Sequence, residues 1–407
     1  VSFSFEPLES GDSFFVFKGA MAPGHVLDSG LVAGTFAISP KMIVSRMQDH
    51  VVETSDGDLH MLINLGLGGG LVLFTSTDNG ASWHQNMTFN ASGFASTADI
   101  RIASDEDEAI MVYTTRDGAI AYAKLDYDTV RDVWTVAYTT TVVDDVMSPN
   151  AAHPTITLAA SGRLWIAYSE ETDDGVVLSV AWSDNAGRDW TETVVTTLDA
   201  EAGSARILAT EDGVGLIYAT AETVTWATYS IGEGVWNFTE IDRDGAIGRY
   251  ASHFSTAQDG DTLYIVMVGS NQELSFMVYD GVSDSWTRPA DIPGVPHGVT
   301  TAQISVETDG GLYVTYDDPH TDTLIVMESL DGGQSWSDFA ELATPDWIAT
   351  GPVRMEAPEH FDDELIVFQQ VRFPGNDQLS FLWSWTLDTT DGSSSVSASF
   401  EAPDWLV

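Results

Sequence analysis

The chain has no cysteine and only three lysines, Lys18, Lys41 and Lys124. The first absence excludes disulfides, thiolate metal sites and a cysteine nucleophile. The second is part of a wider shortage of positive charge: 15 basic residues stand against 62 acidic ones, a formal net charge of −47 at pH 7. Such a balance repels nucleic acid and anionic lipid, so neither is expected as a partner. No apolar run reaches the length of a transmembrane helix, so membrane insertion is not expected. Nor does any stretch combine a helical period with capping residues.

The acids are interleaved with Trp, Tyr, Phe and Val rather than gathered in blocks, which argues for a folded chain and against disorder. In ordinary salt a surface of this kind repels itself. In molar salt that repulsion is screened within roughly 3 Å, and the carboxylates keep the surface hydrated. The composition therefore reads as adaptation to a high-salt, extracellular setting. The chain opens at Val1 without an initiator Met, from which processing or trimming is expected. Three sequons, at Asn86, Asn90 and Asn237, would accept N-linked glycan in an exported protein.

What the chain does have is a repeat. Trp83, Trp134, Trp190, Trp236, Trp286, Trp336 and Trp385 recur at intervals of about fifty residues, a period of propeller blades or a solenoid. Short apolar strands keep the same beat at 59–64, 109–114, 164–169, 215–219, 263–268, 312–317 and 365–370. Further alternating runs between them bring the count to four strands per unit. The expected fold is all-β: a seven-bladed β-propeller of four-stranded antiparallel blades over 49–407, preceded by a short N-terminal extension over 1–48. That extension lacks the repeat markers. Its first strand, 1–6, echoes 396–401 at the other end, so the termini are expected to help close the ring, or the extension to act as a tether.

The Trp at the end of each unit closes an octapeptide. Ser76-Thr77-Asp78-Asn79-Gly80-Ala81-Ser82-Trp83 and Ser329-Leu330-Asp331-Gly332-Gly333-Gln334-Ser335-Trp336 share Ser-x-Asp-x-Gly-x-x-Trp, and the copy from Ser183 to Trp190 carries Asn185 and Gly187 in the Asp and Gly places. Asp can accept turn N–H groups, Gly supplies positive φ and Trp packs on a neighbouring unit, so the pattern suits a tight hairpin. It resembles the Asp-box, or bacterial neuraminidase repeat, of sialidase-like propellers. The resemblance implies a structural role for Ser76, Asp78, Gly80, Trp83, Ser183, Asn185, Gly187, Trp190, Ser329, Asp331, Gly333 and Trp336, on turns away from the ligand. It also makes Arg46 similar to the first arginine of the sialidase carboxylate-binding triad, with Arg206, Arg249, Arg354 or Arg372 as partners. The loop where that family carries its acid/base residue reads Gly66-Leu67-Gly68-Gly69-Gly70, without a carboxylate. No catalytic residue is assigned.

If the boxes mark one face, the loops between second and third strands, and those entering each first strand, emerge on the other. The ligand-binding candidates there are Arg46, Asn150, His153, Glu170, Arg249, Tyr250, His253, Asn271, Asp318, His320, Arg354 and Arg372, with His297 and Trp347 beside them. Amides, acids, arginines and rings together suit polyols, whose hydroxyls need donors and acceptors and whose apolar faces stack. No cofactor is expected; calcium is the one ion that Asp317, Asp318 and Asp322 could chelate, though without EF-hand spacing.

The function expected from these features is an extracellular or virion-surface binding head, holding a host-surface glycan or glycoprotein, such as the fibre or spike of a haloarchaeal virus. The N-terminal extension would contact other virion proteins, and a homo-oligomer is expected. Two other readings stand beside it: a secreted glycoside hydrolase, sialidase-like or endo-acting, and a structural decoration protein without a ligand.

Overall fold

The computed structural model describes residues 26–31, 42–43, 47–66, 70–89, 91, 98–103, 107–146, 152–173, 175–198, 205–211, 213–220, 222–230, 232, 234–242, 254–269, 272–343, 349–373 and 376–390. Their strands form seven antiparallel sheets arranged as a ring, a seven-bladed β-propeller. Blade 1 is Val51–Glu53, Leu59–Asn64, Leu71–Ser76 and His84–Phe89. Blade 2 is Ala98–Ile102, Glu108–Thr114, Ile120–Asp128 and Val133–Val143. Blade 3 is Thr155–Leu158, Leu164–Thr172, Gly175–Ser183 and Thr191–Leu198. Blade 4 is Ala205–Thr210, Gly213–Ala219, Val224–Ser230 and Val235–Asp242. Blade 5 is Phe254–Asp259, Thr262–Val268, Leu274–Asp280 and Ser285–Thr287. Blade 6 is Ala302–Glu307, Leu312–Asp318, Thr323–Ser329 and Ser337–Ala343.

Blade 7 joins the two ends of the chain. Ala349–Glu356, Glu364–Phe373 and Asn376–Asp388 are its first three strands, and Val26–Leu31 is the fourth, paired antiparallel with Ser29 opposite Trp385 and Leu31 opposite Trp383. The N-terminal segment thus contributes a strand to the ring and covers an edge that would otherwise be open. The echo between 1–6 and 396–401 lies outside the described residues.

Burial explains the strand pattern. Leu59–Asn64 and Leu71–Ser76 are buried at every residue, because a middle strand of a blade is packed on both faces by the blades beside it. Outer strands such as Val133–Val143 face water and are Thr-rich and mostly exposed.

The octapeptides form the turns between third and fourth strands. Ser76, Ser183 and Ser329 each accept the N–H of the box glycine through Oγ, at 2.9, 2.9 and 2.8 Å. Asn79–Gly80, Ala186–Gly187 and Gly332–Gly333 all have positive φ, at the middle of the connection from third to fourth strand. Each box also leans on the blade before it. A Cβ at Gly80 would lie 2.2 Å from Ile366, at Gly187 2.3 Å from Tyr122 and at Gly333 2.2 Å from Phe276. The glycine is therefore required twice, by its backbone and by its neighbour. The indoles pack on the same blades: Trp83 on Phe368, Trp190 on Tyr122 and Trp336 on Phe276, at 5.1–5.4 Å.

Candidate functional site: the ring axis and the face opposite the boxes

First strands line the ring axis, and their free edges present unpaired N–H groups to it. A charged hub meets this need. Asp99 accepts the N–H groups of Asp49, at 2.6 Å, and Ile156, at 2.7 Å, and Glu359 accepts that of Gln258 at 3.0 Å. Arg206, fully buried on blade 4, donates to Asp99 at 2.8 Å and to Asp49, and lies 3.5 Å from Glu359. Arg101 adds contacts of 3.1 Å to both Asp49 and Glu359. A second pair, His50 with Glu356 at 2.8 Å, is joined by Gln303 at 3.1 Å. Glu359 reaches the axis because 360–361 pairs in parallel with Val306 and Glu307, extending blade 6. All seven blades contribute a group to this hub.

Burial raises the pKa of Asp49, Asp99 and Glu356, with Arg206 pulling the two aspartates and His50 pulling Glu356 the other way. Burial also opposes the Arg206 charge, but Asp49, Asp99 and Glu359 more than offset it and its pKa rises. The hub's acceptors are taken up by inner-strand N–H groups and guanidinium forks. It pins the ring together, and Arg206 is occupied there rather than offered to a ligand.

The two other arginines named from the sequence do come together. Arg354 stands opposite Gln370 in blade 7, and Arg372 lies two residues along from Gln370 on the same face of its strand. Both are half-buried. Arg354 donates to the carbonyl of Ile43 at 2.9 Å, while Gln370 accepts the N–H of Met42 at 3.0 Å, which seats 42–43 against blade 7. Burial, and then the charge of Arg372, lower the Arg354 pKa. The two guanidinium groups therefore share one half-buried part of blade 7. Arg372 lies next to the turn between second and third strands, so the pair belongs to the face opposite the boxes.

The remaining candidates are distributed. Arg46, Asn150, Arg249, Tyr250, His253, Asn271 and Trp347 lie outside the described residues. His153, half-buried with φ of 40°, precedes the first strand of blade 3. Glu170 is in a strand, opposite Val177, where a loop was expected: the blade 3 hairpin is zipped as far as Thr172 and Gly175. Gln370 to Phe373 are strand for the same reason. Asp318 accepts the N–H of exposed His320 at 2.8 Å within one tight turn, and His297 is exposed. Asp317 is buried and accepts from Thr300 N at 2.8 Å, Thr300 Oγ1 at 2.9 Å and Thr301 N at 2.7 Å. That loop-capping role takes Asp317 out of the expected calcium set, and no metal-binding group of three or more His, Cys, Asp or Glu occurs among the described residues. Sequence reasoning passed over Asp49, Asp99, Arg101, Glu356 and Glu359; the one available signal was an arginine and an aspartate two apart on a first strand.

No family model matches the chain, and no curated protein matches it in sequence. Solved structures do resemble it. A polysaccharide lyase described as a PL25 ulvan lyase shares 12% identity at a TM-score of 0.57, over 90% of this chain and 95% of that one. The polysaccharide lyase Uly1 shares 10% at 0.52, over 84% and 90%. An α-L-arabinofuranosidase from Fusarium graminearum shares 10% at 0.50, over 90% and 99%. The likeness is one of fold. Propellers of this shape include proteins that act on glycans.

Proposed function

We propose that this protein is a glycan-binding propeller that holds an acidic polysaccharide on the face opposite its Asp boxes. The apposition of Arg354 and Arg372 carries the reading: in a chain with 15 basic residues against 62 acidic ones, two guanidinium groups share one half-buried patch. Paired guanidinium forks suit carboxylate and sulfate. The fold neighbours support an acidic sugar as ligand, since the ulvan lyase was also solved bound to -[GlcA(1-4)Rha3S]-. The composition supports an extracellular place in brine, where salt screens the repulsion between a polyanion and this surface. An adhesive head on a virion or cell surface, facing host glycan, is the use of such binding that we favour.

The test is binding of uronate-rich or sulfated polysaccharides in molar NaCl. Arg354→Ala and Arg372→Ala should each weaken binding roughly tenfold or more, the scale of a lost charge-assisted hydrogen bond. Failure of the wild-type protein to bind any such polymer would overturn the reading. A cleaving version of the same function is favoured by the names of the neighbours, lyases and a glycosidase. The appearance of new chain ends in the bound polymer would distinguish it from simple adhesion.

A further inference from the structure

Acids are spread unevenly over the face opposite the boxes. In each of blades 3 to 6 the turn between second and third strands bears an exposed acid: Asp173, Glu222, Glu273 and Asp322. Blade 2 has Asp117 beside Arg116 in that turn, and exposed Asp144 and Asp145 follow its outer strand on the same face. Blades 1 and 7 differ. No Asp or Glu occurs between Asn64 and Leu71 or between Gln370 and Asn376, and none from residue 32 to 48, the connection that joins the two blades. The next acid, Asp377, belongs to the third strand of blade 7. At the box end the same two blades carry exposed Asp56, Asp362 and Asp363, so the gap in negative charge is confined to one face. Arg354 and Arg372 lie in that gap.

We infer that the acidic turns of blades 3 to 6 determine specificity: they confine a bound polyanion to blades 7 and 1, and admit it only when salt screens them. The inference rests on the reading of Arg354 and Arg372 given above and names what regulates that site. A guanidinium meets a carboxylate or sulfate at hydrogen-bond distance, whereas the acidic turns act from other blades of the ring. Raising salt from 0.15 M to 1 M shortens the screening length from about 8 Å to about 3 Å. Contact pairing in a half-buried place survives that change better than repulsion between blades does. Like charges met on approach slow association, while the contacts made afterwards govern release. Salt should therefore speed binding, the reverse of the usual weakening when a polyanion meets a basic protein.

The experiment is stopped-flow association of the full chain with fluorescently labelled polygalacturonate and dextran sulfate, from 0.15 to 3 M NaCl. Sucrose is present throughout, because an excluded osmolyte supports the fold without screening charge. The on-rate of the wild-type protein should rise about tenfold or more between 0.15 and 1 M. A variant combining Asp173→Asn, Glu222→Gln, Glu273→Gln and Asp322→Asn should associate about threefold or more faster than wild type at 0.15 M and equally fast in 3 M. Asp107→Asn, Glu211→Gln, Asp261→Asn and Asp309→Asn together remove the same charge from exposed turns of the box face, and should have a smaller effect. An on-rate that falls with salt, or equal on-rates for the two neutralised variants at 0.15 M, would overturn the inference and leave the arginine pair standing. Absence of binding by the wild-type protein at every salt would overturn the reading of the pair, and this inference with it.

Discussion

Asn185 shows how one atom adjusts a repeated turn. In blades 1 and 6 the Asp carboxylate accepts from a serine four residues on, Ser82 at 2.7 Å and Ser335 at 2.6 Å through Oγ. In blade 3 the place of that serine is held by Asp189, and the place of the Asp four residues earlier by Asn185, whose Nδ2 donates to the Asp189 carboxylate at 2.8 Å. The amide supplies the donor that a second carboxylate lacks. Asn185→Asp should therefore destabilise the protein by about 1 kcal/mol, and Asp189→Ser in the same chain should restore much of it. A double-mutant cycle of unfolding free energies reads this directly. The sequons differ in the same local way. Asn86 donates to Thr75 at 3.1 Å and Asp132 O at 3.0 Å and accepts from Trp134 N at 2.9 Å, bridging blades 1 and 2. Asn237 lies exposed on the outer strand of blade 4. Expressed in a glycosylating host, the protein should carry glycan at Asn237 and not at Asn86, as peptide mass mapping would show.

Among elements, the first strands and the closing strand bear the ring's cohesion. Removing the Arg206 guanidinium leaves Asp49, Asp99 and Glu359 together without it, a loss of about 3–5 kcal/mol by comparison with other broken buried pairs. Arg206→Met should lower the unfolding midpoint far more than Arg163→Met, whose pair with Asp184 is on the surface. Thermal unfolding of the two variants side by side checks the difference. The box turns were legible because their signature is local: Ser, Asp, Gly and Trp within eight residues. The hub was not, since Asp49, Asp99, Arg206 and Glu359 are far apart along the chain and meet only when first strands converge on one axis. The zipped hairpin at Glu170 was missed for a related reason, because polar residues at the end of a strand look like loop until cross-strand pairing is known.

For the whole molecule, charge sets how stability depends on solution conditions. A net charge of −47 repels itself over about 10 Å at 0.1 M salt and about 3 Å at 1 M, so the unfolding midpoint should climb with NaCl. Acidity should act in the same direction at low salt. Burial, then the Asp362 charge, raise Glu53 to about 7 from its ordinary 4.5. Between those values the folded state binds more protons than the unfolded one, so stability falls as pH rises through the window and is greatest below it. The raised hub acids Asp49, Asp99 and Glu356 have the same sign. Glu53→Gln should flatten the pH dependence of the midpoint between about 4.5 and 7, measured by calorimetry at low ionic strength.

The number of blades, the strands within them and the turns that carry the boxes were determined by the sequence itself, because periodicity and turn chemistry act between residues close along the chain. Tertiary structure alone decided which charges meet. It drew Arg206 into the axis, set Arg354 beside Arg372 and gave Val26–Leu31 to the last blade. Those outcomes depend on closing a ring, which brings together side chains whose separation along the chain carries no mark of their contact.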